Sequence, residues 1–363
     1  MKHDINYKKR QGYYRVLLLF FLLFDCCCFA LTFYLTKKEP IAEEIFVSSG
    51  KVTEEKMVIP CGLPVGIYVK TDGLLVLDTQ ILTCMDGLNY EPAKNIIKSG
   101  DYIVSVDGKE MKSKEELQNL IEKSNGEKIE IELIRGKKRI TVAVKPVQTS
   151  DGTYKLGVWL RDDTQGLGTL TYIDGDRFGA LGHGINDYDT GKQMEIEEGY
   201  LYQAKVLSVK RGESGNPGEL VGHVEYEEDK YIGKIEKNSE EGIYGTLKRD
   251  AADLTSYPLM PVGNKKSVKK GTAYIRFLLD EHPKDYEIRI LKVDESERNK
   301  KQGILFEVTD KELLRKTGGV VQGMSGSPVI QDGRIVGAVT HVLVNDPTRG
   351  YGIFIENMLE AAK

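Results

Sequence analysis

The sequence has no excess of positive charge: 51 lysines and arginines stand against 55 aspartates and glutamates, for a formal net charge of -4. The basic residues are interspersed with acidic ones rather than striped, so nucleic-acid binding lacks its electrostatic footprint. Cysteine is scarce as well. Of five, Cys26, Cys27 and Cys28 lie together in an apolar run, which leaves Cys61 and Cys84 for the rest of the chain. There is no CxxC pair and no Cys/His cluster, so the spacing of a zinc site is missing, and no metal or organic cofactor is expected. A Cys61–Cys84 disulfide and two free thiols are both open on spacing alone.

What is present begins with Val16 to Leu35, an almost wholly apolar stretch long enough to cross a bilayer as a helix. Asp25 interrupts it at a cost of roughly 2.5 to 3.5 kcal/mol, which the surrounding Leu and Phe residues offset. Lys2, Lys8, Lys9, Arg10 and Arg15 precede the run against Asp4 alone, which orients the N-terminus to the cytoplasm and the remainder outside. No small-x-small cleavage site follows, so the span reads as a retained anchor rather than a signal peptide. From Lys37 to about Pro60 the chain is polar without an apolar period, as a stalk would be; a self-cleavage site there is an expectation beside the plain spacer.

Between Leu63 and Val147 short strand patterns flank one helix, which starts at a Ser113 N-cap and sets Leu117, Leu120 and Ile121 on one face. Ile129–Ile134 and Ile140–Val144 alternate around a turn at Gly136, predicting a hairpin. The run PAKNIIKSGDYIVSVDGKEM and the helix after it resemble a PDZ domain. That resemblance implies a carboxylate-binding loop at Gly62–Gly66 and a peptide groove at Leu63, Val65, Gly66 and Ile67, through which the domain would self-associate or engage substrate by strand addition.

Past Thr149 short β-like runs separated by Gly, Asp and Asn turns continue to a helical close at IENMLEAAK, which reads as an all-β barrel or sandwich. Within it lies TGGVVQGMSGSPVI. Gly323-Met324-Ser325-Gly326-Ser327-Pro328 is similar to the nucleophile run of chymotrypsin-like peptidases, in which flanking glycines expose the serine hydroxyl and the amides of Gly323 and Ser325 converge as an oxyanion hole. The elbow of α/β-hydrolases places its second glycine one position later and continues into a helix, and this run does neither. A serine needs a base. Of the four histidines after the anchor, His183, in GALGHGIND, lies between small residues well upstream of Ser325; His341 sits on the strand after the serine, where such folds build the specificity pocket. His223, in a strand pattern, and His282, before a proline, read as structural or exposed.

The region from GALGHGI through DKELLRKTGGVVQGMSGSPVIQDGRIVGAVTHVLVNDPTRGYGIFIENML, together with the order anchor, PDZ, peptidase, resembles the stage IV sporulation protein B peptidases of endospore-forming bacteria. The resemblance implies His183 as base, Ser325 as nucleophile and Asp310 as orienting acid; Asp310 equally suits an N-cap of KELLRK, Asp187 and Asp189 are rivals, and Asp346 could shape the pocket. It also implies a protease released into the space between forespore and mother-cell membranes. There it would cut an extracytoplasmic segment of a membrane regulatory protein and so activate processing of the precursor of the late mother-cell sigma factor. A non-catalytic PDZ adaptor and an esterase are the rival readings. The expected chain is mainly β: a cytoplasmic tail (1–15), a transmembrane helix (16–36), a stalk (37–60), a PDZ domain (61–148) and a chymotrypsin-like double β-barrel peptidase domain (149–363).

Overall fold

The computed structural model describes residues 55–227, 230–249, 254, 257–296 and 298–363; the expected tail, anchor and most of the stalk lie outside the described residues. Among the described residues no helix is long and apolar enough to cross a membrane. The described chain is mainly β, with two barrels and a smaller module where the PDZ domain is expected.

The first strand, β1 (Met57–Thr79), serves two bodies. Cys61, Leu63, Val65, Ile67 and Val69 alternate into one core, whereas Leu74 and Val76 enter another. Odd positions give way to even ones because the pairing register shifts between Lys70 and Leu75, and an irregularity of that kind flips which side chains face inward. After this switch the chain builds β2 (Asp101–Val106), α1 (Lys114–Lys123), β3 (Ile129–Arg135) and β4 (Lys138–Val144). Ser113 caps α1 by accepting from the Glu116 amide at 3.2 Å, and Leu117 and Ile121 are buried beneath it. The chain returns along β5 (Val158–Asp174), which pairs antiparallel with β1 over nearly its whole length.

The PDZ module is therefore an insertion within a long hairpin, not a domain that precedes the barrels. Its expected limits of 61–148 move at both ends. Residues before the register shift belong to a barrel, and Tyr154, Leu156, Val158 and Leu160 pack into the same core as Leu117 and Ile121. Cys61 and Cys84 are both free and buried, one in the barrel and one in the module; burial raises the Cys61 thiol pKa far above its usual value, with the Arg276 charge opposing.

Beyond β5 follow β6 (Arg177–Ala180), β7 (Ile196–Lys210), β8 (Glu219–Val224), β9 (Tyr231–Ser239) and β10 (Gly242–Leu247). The pairings β1–β5, β5–β6, β6–β10, β10–β9, β9–β7 and β7–β1 close the first barrel, and β8 extends it from β7. The second barrel consists of β11 (Gly271–Phe277), β12 (Lys284–Val293), β13 (Ile304–Val308), β14 (Pro328–Gln331), β15 (Arg334–Leu343) and β16 (Asp346–Phe354), closed in the order β11-β12-β13-β16-β15-β14. A short helix, α2 (Lys311–Thr317), precedes the serine turn, and α3 (Ile355–Ala361) ends the fold. Ile355 and Met358 of α3 pack with Tyr172 and Tyr244 of the first barrel and Ile335 and Ala338 of the second, so the last turn of chain seals the seam between them.

One buried carboxylate in the module is fully committed. Asp101, 1% exposed, receives the Arg135 guanidinium on both oxygens, at 2.8 and 2.6 Å, plus the Lys98 amide at 2.8 Å. Removing a carboxylate so placed strands a half-buried guanidinium. Arg135 is a third exposed and keeps the Ile96 carbonyl, so Asp101→Ala is expected to lower unfolding stability by about 2 kcal/mol in urea titration; a loss within experimental error would show the pair to be dispensable.

Candidate active site

Ser325 lies in the turn between α2 and β14, whose peptide groups are held partly within the turn and partly from across the molecule. The Gln322 carbonyl accepts from Leu220 N–H at 3.0 Å, and the Gly323 carbonyl accepts from the Thr169 hydroxyl at 2.7 Å. Met324 N–H donates to the Val321 carbonyl at 3.1 Å, and the Met324 carbonyl accepts from both Ser327 N–H and Ser327 Oγ. The Ser325 carbonyl accepts from Thr169 N–H at 3.0 Å, and Gly326 N–H donates to the Val339 carbonyl at 2.7 Å. From Gln322 to Ser327, two amides have no hydrogen-bond acceptor among the described residues, those of Gly323 and Ser325; the buried Val321 amide just before them has none either. Gly323 and Gly326, both at φ +97°, supply the left-handed conformations that the turn requires.

His183 lies in the loop after β6, and that loop is laced to the serine turn. The Leu181 amide donates to the Thr169 carbonyl at 3.2 Å, so Thr169 touches both segments. A β-carbon at Gly326 would overlap the Thr169 carbonyl oxygen and lie 2.5 Å from the Leu181 nitrogen, and one at Gly182 would lie 3.3 Å from Thr340 and Val339. On the far side Asn238 holds the loop in place: its oxygen accepts from Ile185 N–H at 2.8 Å and its amide donates to the Ile185 and Met194 carbonyls. The structure thus brings the His183 and Ser325 segments to one seam between the barrels. The Ser325 hydroxyl donates to the Thr340 carbonyl at 2.9 Å in this state.

Burial holds the His183 pKa below its usual 6.5, with Lys301 acting in the same direction and the Gly184 carbonyl opposing. His183 Nδ1 lies 2.9 Å from the Gly184 carbonyl. A carbonyl only accepts, so Nδ1 carries the proton and Nε2 of the neutral ring keeps a free lone pair, the state a general base needs. The His341 ring stands 5.4 Å from that of His183. Partial burial, the adjacent His183 imidazole and Lys301 bring the His341 pKa down to about 4.

The expected orienting acid is not beside His183. Asp310 caps α2, accepting from Leu313 N–H at 2.8 Å, and no carboxylate of the described residues pairs with His183. The physical reason is local: a carboxylate one residue before a helix is claimed by its unpaired amides. Asp187 is committed to Arg161 and to the amides of Asp189 and Thr190, Asp189 also meets Arg161, and Asp346 closes its own turn through Thr348. The proposed peptide groove also moves. Leu63, Val65 and Ile67 are barrel core, and a side chain at Gly66 would run into Val224. In the module, the strand segment Val158–Arg161 pairs with β1 on one side only, near α1, and the loop leading to it is tied to α1 through Tyr154 by Gln118 and Glu122. Thr169 and Asn238, which organise the seam, carry no sequence signal: each sits in an ordinary β-run. A cleft lined by Leu167, Leu220, His223, Tyr226, Gln322 and Gly323 opens beside the serine turn.

With the His183 pKa depressed, the ring is neutral across the physiological range and becomes protonated only in acid. The acid limb of peptidase activity is therefore expected to have its midpoint below pH 6.5. A midpoint above 7 would contradict this environment. Folding stability has the same sign: the unfolded imidazoles bind protons first, so the contribution present above about pH 6.5 is lost as pH falls.

The family model for the SpoIVB peptidase S55 matches residues 152–359, and that for the PDZ domain matches residues 85–145. No curated protein matches the chain. Among solved structures, the PDZ domain of the SdrC-like protein from Listeria monocytogenes is similar at 26% identity, covering 25% of this chain and 90% of that one, with a TM-score of 0.21. The Rv3671c protease from M. tuberculosis in its active form is similar at 13% identity over 55% of this chain and 74% of that one, TM-score 0.33. The HtrA-type protease AlgW with a decapeptide is similar at 7% identity over 82% and 62%, TM-score 0.34. The family match spans more than half of the chain and contains both the histidine loop and the serine turn: this protein belongs to the SpoIVB peptidase S55 family of serine endopeptidases and carries a PDZ domain.

Proposed function

We propose that Ser325 attacks a peptide carbonyl while His183 Nε2 takes its proton, that the Gly323 and Ser325 amides receive the oxyanion, and that water releases the acyl-enzyme. The observation that carries this reading is the hydrogen-bond accounting of the turn. The unpartnered amides of Gly323 and Ser325 flank Met324 and belong to peptides whose carbonyls are held elsewhere, by Leu220 and Ser327, which restrains each donor before substrate arrives. In the free state the Ser325 hydroxyl rests on the Thr340 carbonyl, and it turns to His183 when a substrate occupies the cleft. The neutral ring with Nδ1 on Gly184 is ready to accept that proton.

In our reading the substrate is an extracytoplasmic segment of a membrane regulatory protein, with this chain itself as a second substrate. The outcome is processing of the precursor of the late mother-cell sigma factor. Membership of the family supports this role, and the apolar run of residues 16–35 supports a membrane anchor that places the barrels outside the cytoplasm. The PDZ module engages a peptide by strand addition along the unpaired edge of Val158–Arg161, next to α1, and so governs self-association or substrate capture.

The test is purified protein, wild type against Ser325→Ala and His183→Ala, assayed for cleavage of itself and of extracytoplasmic domains of membrane proteins. Each variant is expected to lose at least about 1,000-fold in turnover while keeping the wild-type melting temperature to within a few degrees. A fluorophosphonate should modify wild type and not Ser325→Ala. Undiminished cleavage by either variant would remove the assignment; labelling without any peptide cleavage would favour an esterase, and no labelling an adaptor.

A further inference from the structure

Thr169 occupies a singular place in the seam. It is fully buried in β5, opposite Pro64 of β1, a residue with no N–H to offer. Its polar groups are instead spent across the molecule: N–H to the Ser325 carbonyl, carbonyl from the Leu181 amide, and hydroxyl to the Gly323 carbonyl at 2.7 Å. The first two bonds are made by the backbone and would survive any side chain that fits. The third depends on the hydroxyl alone.

That hydroxyl holds the peptide plane directly after the Gly323 amide, whose own plane is held at the Gln322 carbonyl by the Leu220 amide. The Gly323–Met324 peptide is tied at its oxygen by Thr169 and at its nitrogen by the Val321 carbonyl. Glycine at 323 has no side chain to restrict that plane, so with only the Met324 amide's bond left the segment gains rotational freedom next to the Gly323 amide. An oxyanion donor works because it is aimed in advance, and freedom there spends catalytic stabilisation on ordering.

We propose that Thr169 is a positioning residue for the peptidase reaction, its hydroxyl fixing the Gly323 segment so that the Gly323 amide is aimed at the oxyanion. This rests on the reading of Ser325 as nucleophile. Thr169 touches neither substrate nor base, and it acts through the turn.

The test compares Thr169→Val, which removes the hydroxyl at nearly constant shape, with Thr169→Ser, which keeps it. Turnover is measured per fluorophosphonate-titrated site. Thr169→Val is expected to lose about 10- to 100-fold in kcat with KM changed less than about threefold, below the full loss of an oxyanion donor. Thr169→Ser is expected to stay within about threefold of wild type in kcat. A purely structural role would lower the melting temperature without lowering kcat per titrated site. A folded Thr169→Val with wild-type kcat, or a Thr169→Ser as slow as Thr169→Val, would overturn the proposal. If the valine variant does not fold, Thr169→Ala takes its place against Thr169→Ser, with the same two outcomes. Failure of the underlying reading looks different: wild type itself then escapes modification at Ser325, or Ser325→Ala turns over normally.

Discussion

Gly326 stands where the two barrels approach too closely for any side chain. With φ at +97°, and with the Thr169 carbonyl and Leu181 nitrogen where a β-carbon would stand, it lets the serine turn press directly onto β5 and onto the loop that carries the histidine. Every other feature of the site depends on that closeness. Thr169 can bond both segments only because the turn lies within reach of β5, and the Gly182 backbone packs against Thr340 and Val339 from the opposite side. The seam is rigid for the reason protein interiors generally are: close-packed neighbours leave no room for adjustment.

From this constraint the electrostatics follow. Packing the loop after β6 into the seam buries His183, and burial keeps the imidazole neutral while the Gly184 carbonyl sets its tautomer. No carboxylate of the described residues pairs with His183, so backbone geometry orients the ring, through Gly184 on one side and the Asn238 clamp on the other. The same economy appears in the turn, where carbonyls are used up by Leu220, Thr169 and Ser327 and the amides of Gly323 and Ser325 stay without an acceptor.

Much of this was legible in the sequence. The glycine-flanked Ser325 and the small-residue surroundings of His183 stand out because such spacing is rarely needed elsewhere, and the Ser113 cap and the Gly136 hairpin follow local rules that tertiary structure did not override. The insertion of the PDZ module was not legible. Alternating apolar residues in β1 look the same whether they line a peptide groove or a barrel, and the shift between Lys70 and Leu75 that separates the two roles leaves only a short polar interruption. Asp310 shows the converse difficulty: the features that make it a good helix cap are also those of a catalytic carboxylate in a motif, and only coordinates reveal which bond it makes. Thr169 was invisible because its importance lies in partners more than 150 positions away, Gly323 among them.

The most direct examination of the central claim is a crystal structure of the protein with a peptide boronate. The account predicts boron bonded to Ser325 Oγ and one boronate oxygen about 2.7 to 3.1 Å from the Gly323 and Ser325 nitrogens. His183 Nε2 should lie beside the former hydroxyl, and the Thr169–Gly323 bond should be unchanged. A boronate oxygen facing solvent, or an imidazole directed away from Ser325 with the inhibitor in place, would contradict it.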